Sequence, residues 1–460
     1  MNRLKVYVLI IVLSSLLTHF LFYGHPNETV FDEVHFGKFI SGYFTHEYFF
    51  DIHPPLGKLL ISGAGYLAGF GPGFSFAEIG EKFPDNAYLW LRLLPTLAGV
   101  LLPLIIFFLI LRFGLSRIAA FTAATLIVLE NATLVQSRFI LLDSFLLLFG
   151  FSALLTYLKY AQERKIFYLF LSGILAALSL SVKWTGATFL AIIIFLETIR
   201  VVKEKSASHA LKDLIALVAL PFLIYFSVFA VHLGLLTKSG PGDAFMTPAF
   251  QKTLAGNNYQ NDISIKPLNI FEKFTELNAE MYRANAGLTA GHPYSSKWYA
   301  WPFMIRPIYY WHENSLSPPG EESRIYFLGN PIIWWASTIA MVYLLFETLL
   351  SFLRAIKRKS LTPFWKSNTL QLFLLGSFTF NLLPFIGIKR AMFLYHYMIG
   401  LVFATIALAF ILDRLENKKR AFAALLIASL AAFIFFVPLT YGLPLTNFAY
   451  HLRVWLPSWQ

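Results

Sequence analysis

The run YLWLRLLPTLAGVLLPLIIFFLIL, Tyr88 to Leu111, decides the fold. It is apolar from end to end apart from one charge, Arg92. Coiled as a helix, it reaches across the roughly 30 Å hydrocarbon layer of a bilayer. Comparable runs recur at approximately 6–22, 117–135, 138–158, 166–182, 184–200, 212–232, 331–353, 369–388, 391–412 and 421–440. Together they predict an all-α polytopic membrane protein with about eleven transmembrane helices, since only helices fit runs of this length and satisfy their own backbone in lipid. The composition agrees: 57% hydrophobic and 13% charged, where a soluble domain carries about 25% charge. There is no cysteine, which excludes disulfides, thiolate metal sites and cysteine nucleophiles.

The net charge of +12 is a topology signal rather than a nucleic-acid one. When the sides alternate, Arg3/Lys5, Arg112/Arg117, Lys159/Arg164/Lys165, Arg200/Lys203/Lys205/Lys212, Arg354/Lys357/Arg358/Lys359/Lys366 and Arg414/Lys418/Lys419/Arg420 all fall on one face. The positive-inside rule makes that face cytosolic. The first run, Val6 to Phe22, is followed by no small-residue cleavage pattern, so it reads as an uncleaved helix with a cytosolic N-terminus. The C-terminus is then external, and two long external loops result, 24–87 and 233–330. The expected division is an N-terminal transmembrane module (1–232, including loop 24–87), a loop region (233–330) and a C-terminal transmembrane module (331–460).

Loop 24–87 carries FDEVHFGK, Phe31 to Lys38, followed by DIHPPLGK, Asp51 to Lys58. Residues 29–43 have the spacing of an interfacial helix, with Asp32, His35, Phe36, Phe39 and Tyr43 on one face. Glu33 is rotated by about 100° from Asp32, so the two acids have different roles. The alternative is a solvated face with Asp32 near the helix dipole. His53-Pro54-Pro55 is an extended or turn segment, whose histidine either meets a sugar hydroxyl or phosphate or is incidental. Arg92, Arg138, Lys183 and Lys389-Arg390 lie at the outer ends of spans. Singly such cations snorkel; together they suggest an anion site. Asp143, five residues beyond Arg138, would lie roughly 7–8 Å deeper on the same helix, as a functional acid or a packing partner. Glu130 sits at the outer end of the preceding helix. Asp32, Glu33, His35 and His53 could hold Mg²⁺ or Mn²⁺, although no spacing demands a metal.

These stretches resemble the protein O-mannosyltransferases. SRFILLDS (Ser137–Ser144), SVKWTG (Ser181–Gly186), GDAFMTPAFQ (Gly242–Gln251), HPYSSKW (His292–Trp298), Trp301-Pro302, RPIYYW (Arg306–Trp311), GNPIIWW (Gly329–Trp335) and RAMFLYHY (Arg390–Tyr397) follow in the family's order. The resemblance implies the C-type glycosyltransferase fold and transfer of mannose from polyprenyl (dolichyl) phosphate mannose to Ser or Thr of proteins on the external face. It implies Asp32 as catalytic base and Glu33 as a support for the site or the acceptor peptide. Donor-phosphate contacts would be Arg92, Arg138, Lys183 and Arg390. Substrate contacts would be His35, His53, Lys58, Glu130, Asp143, Tyr395 and His396. The second loop has no β-trefoil MIR domain, so the chain is similar to a short prokaryotic form, in the cell membrane of an archaeon or bacterium, alone or as a homo- or hetero-dimer. A lipid or glycan acceptor is the alternative within the same chemistry, and a secondary transporter the alternative from another class.

Overall fold

The computed structural model describes residues 3–204, 210–287, 291–313 and 320–460; Lys205 lies outside them. Most of each expected apolar run falls on helix. Among the described residues nine helices are long and apolar enough to span, from Arg3–Phe20 to Lys418–Tyr441. A tenth span is available if the bent pair Arg117–Val128 and Asn131–Ser137 counts as one, while Ile166–Val182 is shorter. The protein is thus a multi-pass membrane protein. One boundary differs from expectation. The run from 138 does not begin a helix: 138–142 are bends and extended chain, and the helix is Asp143–Glu163. Asp143 therefore stands at a helix N-terminus, where the dipole favours a carboxylate, and not a turn and a half inside one.

The chain packs as two units. One comprises 23–98 and 137–290. In it loop 24–87 is largely helical, with Glu33–Thr45 and Leu56–Leu67. Both helices carry an apolar face at 3.6-residue spacing, and Phe36, Ile40 and Tyr43 of the first are buried. A core of Tyr43, Tyr48, Phe49, Phe229, Leu233, Phe250, Phe274, Leu277 and Met281 joins this segment to the Leu220–Leu235 and Ile270–Gly287 helices. Asp143–Glu163 and Ile166–Val182 form a helical hairpin. Arg164, at φ +57°, turns the chain between them. Ile166–Val182 approaches the π-helical turn Ile215–Ala219 so closely that a Cβ on Gly173 would lie 1.9 Å from the Ala216 carbonyl oxygen.

The other unit comprises 1–22, 99–136 and 291–460. Pro331–Lys357 and Met398–Asp413 are its packed centre, and an antiparallel sheet orders Ile308–His312, Glu321–Phe327 and Pro444–Thr446 side by side. The 60° bend at 129–130 is built by Glu130. One of its oxygens accepts from the Thr133 N–H (2.7 Å) and hydroxyl (2.9 Å), and the other from the Asn330 N–H (2.8 Å). The Asn330 amide in turn donates to the carbonyls of Leu129 and Ser429, so the backbone that the break releases from the helix finds partners.

Gly173→Ala forces backbone apart and should lower stability by on the order of 1–3 kcal/mol, seen as a lower thermal midpoint in detergent. Gly63→Ala, whose Cβ meets nothing within 4 Å, should leave the midpoint unchanged.

Candidate active site

The site is built around a turn. The Glu33 N–H donates to the Val30 carbonyl (2.9 Å), and the two residues bridged are Phe31 and Asp32. Phe31 has φ +47°, a region that a bulky residue enters only when its surroundings hold it there. What holds it is the Glu33 carboxylate, which reaches back to the Val30 N–H at 2.9 Å. Asp32 precedes the first helical residue and makes no capping bond with its side chain. Its carbonyl accepts from the N–H groups of His35 and Phe36. The carboxyl is therefore not consumed by the helix it starts.

Glu33 is completely buried and fully satisfied. Its Oε1 accepts from Arg92 Nε (2.8 Å) and from the Ile140 N–H (2.8 Å). Its Oε2 accepts from Arg92 (2.7 Å) as well as from Val30. Arg92 spends its other N–H groups on the carbonyls of Gly24 (3.2 Å), Pro26 (2.7 Å) and Glu28 (2.7 Å). Its guanidinium lies between the rings of Tyr88 and Phe139, each 4.9 Å away. All five donors of this arginine are engaged inside the protein. The expected phosphate contact by Arg92 has no donor left to make it, and the geometry is that of a clamp.

Two more ion pairs belong to this unit. Lys183 Nζ donates to both oxygens of Asp143, at 2.9 Å each. Asp143 opens one helix of the hairpin and Lys183 ends the other, so each charge suits its helix dipole. The second pair is Lys58–Asp51. Lys58 also donates to the carbonyls of His53 (2.9 Å) and Pro54 (3.4 Å), which occupies its three N–H groups within the loop. Burial pushes the Asp32 carboxyl up to about 7; the Lys183 charge opposes this, and the Asp143 and Asp51 charges reinforce it.

The unit thus brings together Asp32, Glu33, His53, Lys58, Arg92, Arg138, Asp143 and Lys183. Arg138 is buried in the non-helical 138–142 segment. The His53 ring lies against Phe36, centroids 6.5 Å apart, whereas His35 is exposed. Glu130, Arg390, Tyr395 and His396 are in the other unit. There Glu130 is the buried cap described above, and His396 stacks between Trp301 (5.7 Å) and Tyr395 (4.6 Å). Asp51 carries no motif of its own; an acid just before the His-Pro-Pro turn and a lysine just after it are the signal for this pair. Among the described residues no three His, Asp or Glu side chains form a possible metal set. Glu33, one of the four expected ligands, has all four acceptor positions filled, so the expected Mg²⁺ or Mn²⁺ set does not fit.

The family model described as dolichyl-phosphate-mannose-protein mannosyltransferase matches residues 9–237. A second, for the C-terminal four TMM region of protein-O-mannosyltransferase, matches 270–459. Protein O-mannosyl-transferase 2 of Danio rerio is 35% identical over 55% of this chain and 35% of its own length. Dolichyl-phosphate-mannose–protein mannosyltransferase 1 of Candida albicans is 36% identical over 52% of this chain and 29% of its own. The chain thus spans about a third of the length of these curated relatives. The structure of the S. cerevisiae protein O-mannosyltransferase Pmt1-Pmt2 complex bound to the sugar donor aligns with TM-score 0.91 at 21% identity, over 100% of this chain and 93% of that one. The Archaeoglobus fulgidus oligosaccharyltransferase, in complex with Zn and sulfate, aligns with TM-score 0.52 at 15% identity, over 95% and 53%. The fold is the C-type glycosyltransferase fold.

Glu33→Gln replaces two acceptors by an amide and leaves the Arg92 charge buried without its counter-ion. A loss of about 3–5 kcal/mol is expected, measured as thermal or denaturant unfolding in detergent. Arg92→Lys should lose stability as well, because an ammonium has three donors for five acceptors.

Proposed function

We propose a reaction for this chain from one premise: it belongs to the dolichyl-phosphate-mannose-protein mannosyltransferase family. The chain transfers mannose from a polyprenyl phosphate carrier to a Ser or Thr hydroxyl of a protein, on the external face of the cell membrane, with the N-terminus in the cytosol. The observation that carries this reading is the unequal treatment of the acid pair. Glu33 is locked as an ionised partner of Arg92, while the neighbouring Asp32 is raised to about 7, a value suited to a general base near neutral pH.

In the proposed step the acceptor oxygen attacks the anomeric carbon as its proton passes to the Asp32 carboxylate. The carbon–oxygen bond to phosphate breaks, polyprenyl phosphate leaves with the bonding electrons, and the configuration inverts. Phosphate is a weak base and leaves without a general acid, provided that cations face its charge. Arg138 and Lys183 are the proposed cations. Lys183 is already fixed by Asp143, so little reorganisation is required of it. Arg92 and Glu33 are positioning residues, and His53 is proposed as a substrate contact. The family's description as dolichyl-phosphate-mannose-protein mannosyltransferases supports a polyprenyl-linked donor here, and a homo- or hetero-dimer is proposed because the Pmt1-Pmt2 structure of similar fold is a complex.

Purified protein incubated with radiolabelled polyprenyl phosphate mannose and a Ser/Thr peptide should label the peptide. Label found only in lipid or glycan, or transport without product, would overturn the reading. Asp32→Asn should abolish labelling. Its thermal midpoint at pH 8 should equal or exceed that of the wild type: the folded pKa lies above the unfolded 3.8, so the ionised carboxylate weakens the fold increasingly from about pH 4 to pH 7, and asparagine escapes this. The wild-type rate should fall as pH drops through about 7, where the base takes up its proton; burial chiefly raises that midpoint, Lys183 opposes it, and Asp143 and Asp51 add to it.

A further inference from the structure

We propose that Lys58 is a positioning residue that acts through His53 rather than a group that touches substrate; this rests on the reading of His53 as a substrate contact. Lys58 is the third residue of the Leu56–Leu67 helix and is 1% exposed. An ammonium there is disfavoured twice, by burial and by the positive end of the helix dipole. Such a group persists only where its partners offset both costs, and here the partners are the loop itself. The chain from Asp51 to Pro55 folds back over the ammonium, so that the Asp51 carboxylate and the carbonyls of His53 and Pro54 all accept from it.

The carbonyl before these is held too. Asn285 of the Ile270–Gly287 helix donates to Ile52 O at 3.1 Å and is itself tied to Met281 O at 2.8 Å. Three successive carbonyls, at Ile52, His53 and Pro54, are thus gripped from inside the protein. Pro54 and Pro55 restrict the backbone between them. What the segment presents is the half-buried imidazole of His53, laid against Phe36. The Phe36 N–H donates to Asp32 O at 2.9 Å, so the ring that supports His53 is one helical turn from the proposed base. Lys58 carries no donor beyond those the loop uses. Its contribution is the direction of His53 relative to Asp32.

The test is a double-mutant cycle on the full chain in detergent, with kcat and KM for peptide labelling and a thermal midpoint for each variant. His53→Ala and Lys58→Met should each lower kcat/KM, by on the order of a hundredfold for a misplaced contact. The double variant should be no slower than the worse single one, because Lys58 has nothing to act through once the imidazole is gone. Losses that multiply would overturn the proposal, as would a Lys58→Met protein of wild-type rate beside an impaired His53→Ala. A His53→Ala protein of wild-type rate would instead remove the reading of His53, and this inference with it. Should Lys58→Met not fold, Asp51→Asn/Lys58→Met, which leaves no unpaired buried charge, is compared with and without His53→Ala in the same way, with the same expectations.

Discussion

A carboxylate accepting four hydrogen bonds and a guanidinium donating five, all inside the protein, form the constraint on which the site depends. Charges removed from water are costly, and a buried pair is tolerable when every donor and acceptor is met. Glu33 and Arg92 meet that condition by drawing in backbone from three places: Gly24 to Val30, Ile140, and the Tyr88–Arg112 helix that carries the arginine. The turn at Phe31, the direction of Asp32 and the non-helical stretch ahead of Asp143 are consequences of satisfying this one pair.

Two carboxylates adjacent in sequence consequently live in opposite surroundings. Glu33 is neutralised by Arg92 and saturated with N–H donors. Asp32 sits in the field of a lysine already shared with Asp143, with a further acid, Asp51, nearby. The hairpin of Asp143–Glu163 and Ile166–Val182 supplies this field economically. One turn at Arg164 returns the chain so that the start of one helix and the end of the next carry the opposing charges. Burial raises the first acid, while the second is held in an ion pair with every acceptor position filled.

The spans were legible because length and apolarity alone specify them in a bilayer. The break at 138–142 was not: Phe139-Ile140-Leu141-Leu142 is as apolar as a helix, and what interrupts it is the Ile140 N–H reaching Glu33, which no local pattern records. The acid pair is legible as a motif whose two carboxyls point apart, and the structure gives the two different surroundings. Arg92 reads from charge and position as part of an anion site, and Lys58 from the resemblance as a substrate contact; the partners of both are mainly backbone carbonyls, and carbonyls are present at every residue, so no pattern marks them. The role of Glu130 was hidden for the same reason, since one of its partners is a peptide N–H 200 residues away.

That last separation bears on how the chain is made. A ribosome feeding spans into a membrane delivers Glu130 long before Asn330, and until then the acid lacks its Asn330 partner. The bent segment therefore completes its hydrogen bonding only after most of the intervening chain has been inserted. A carboxylate in this position delays commitment: it keeps an early span unfinished until a late one arrives to close it.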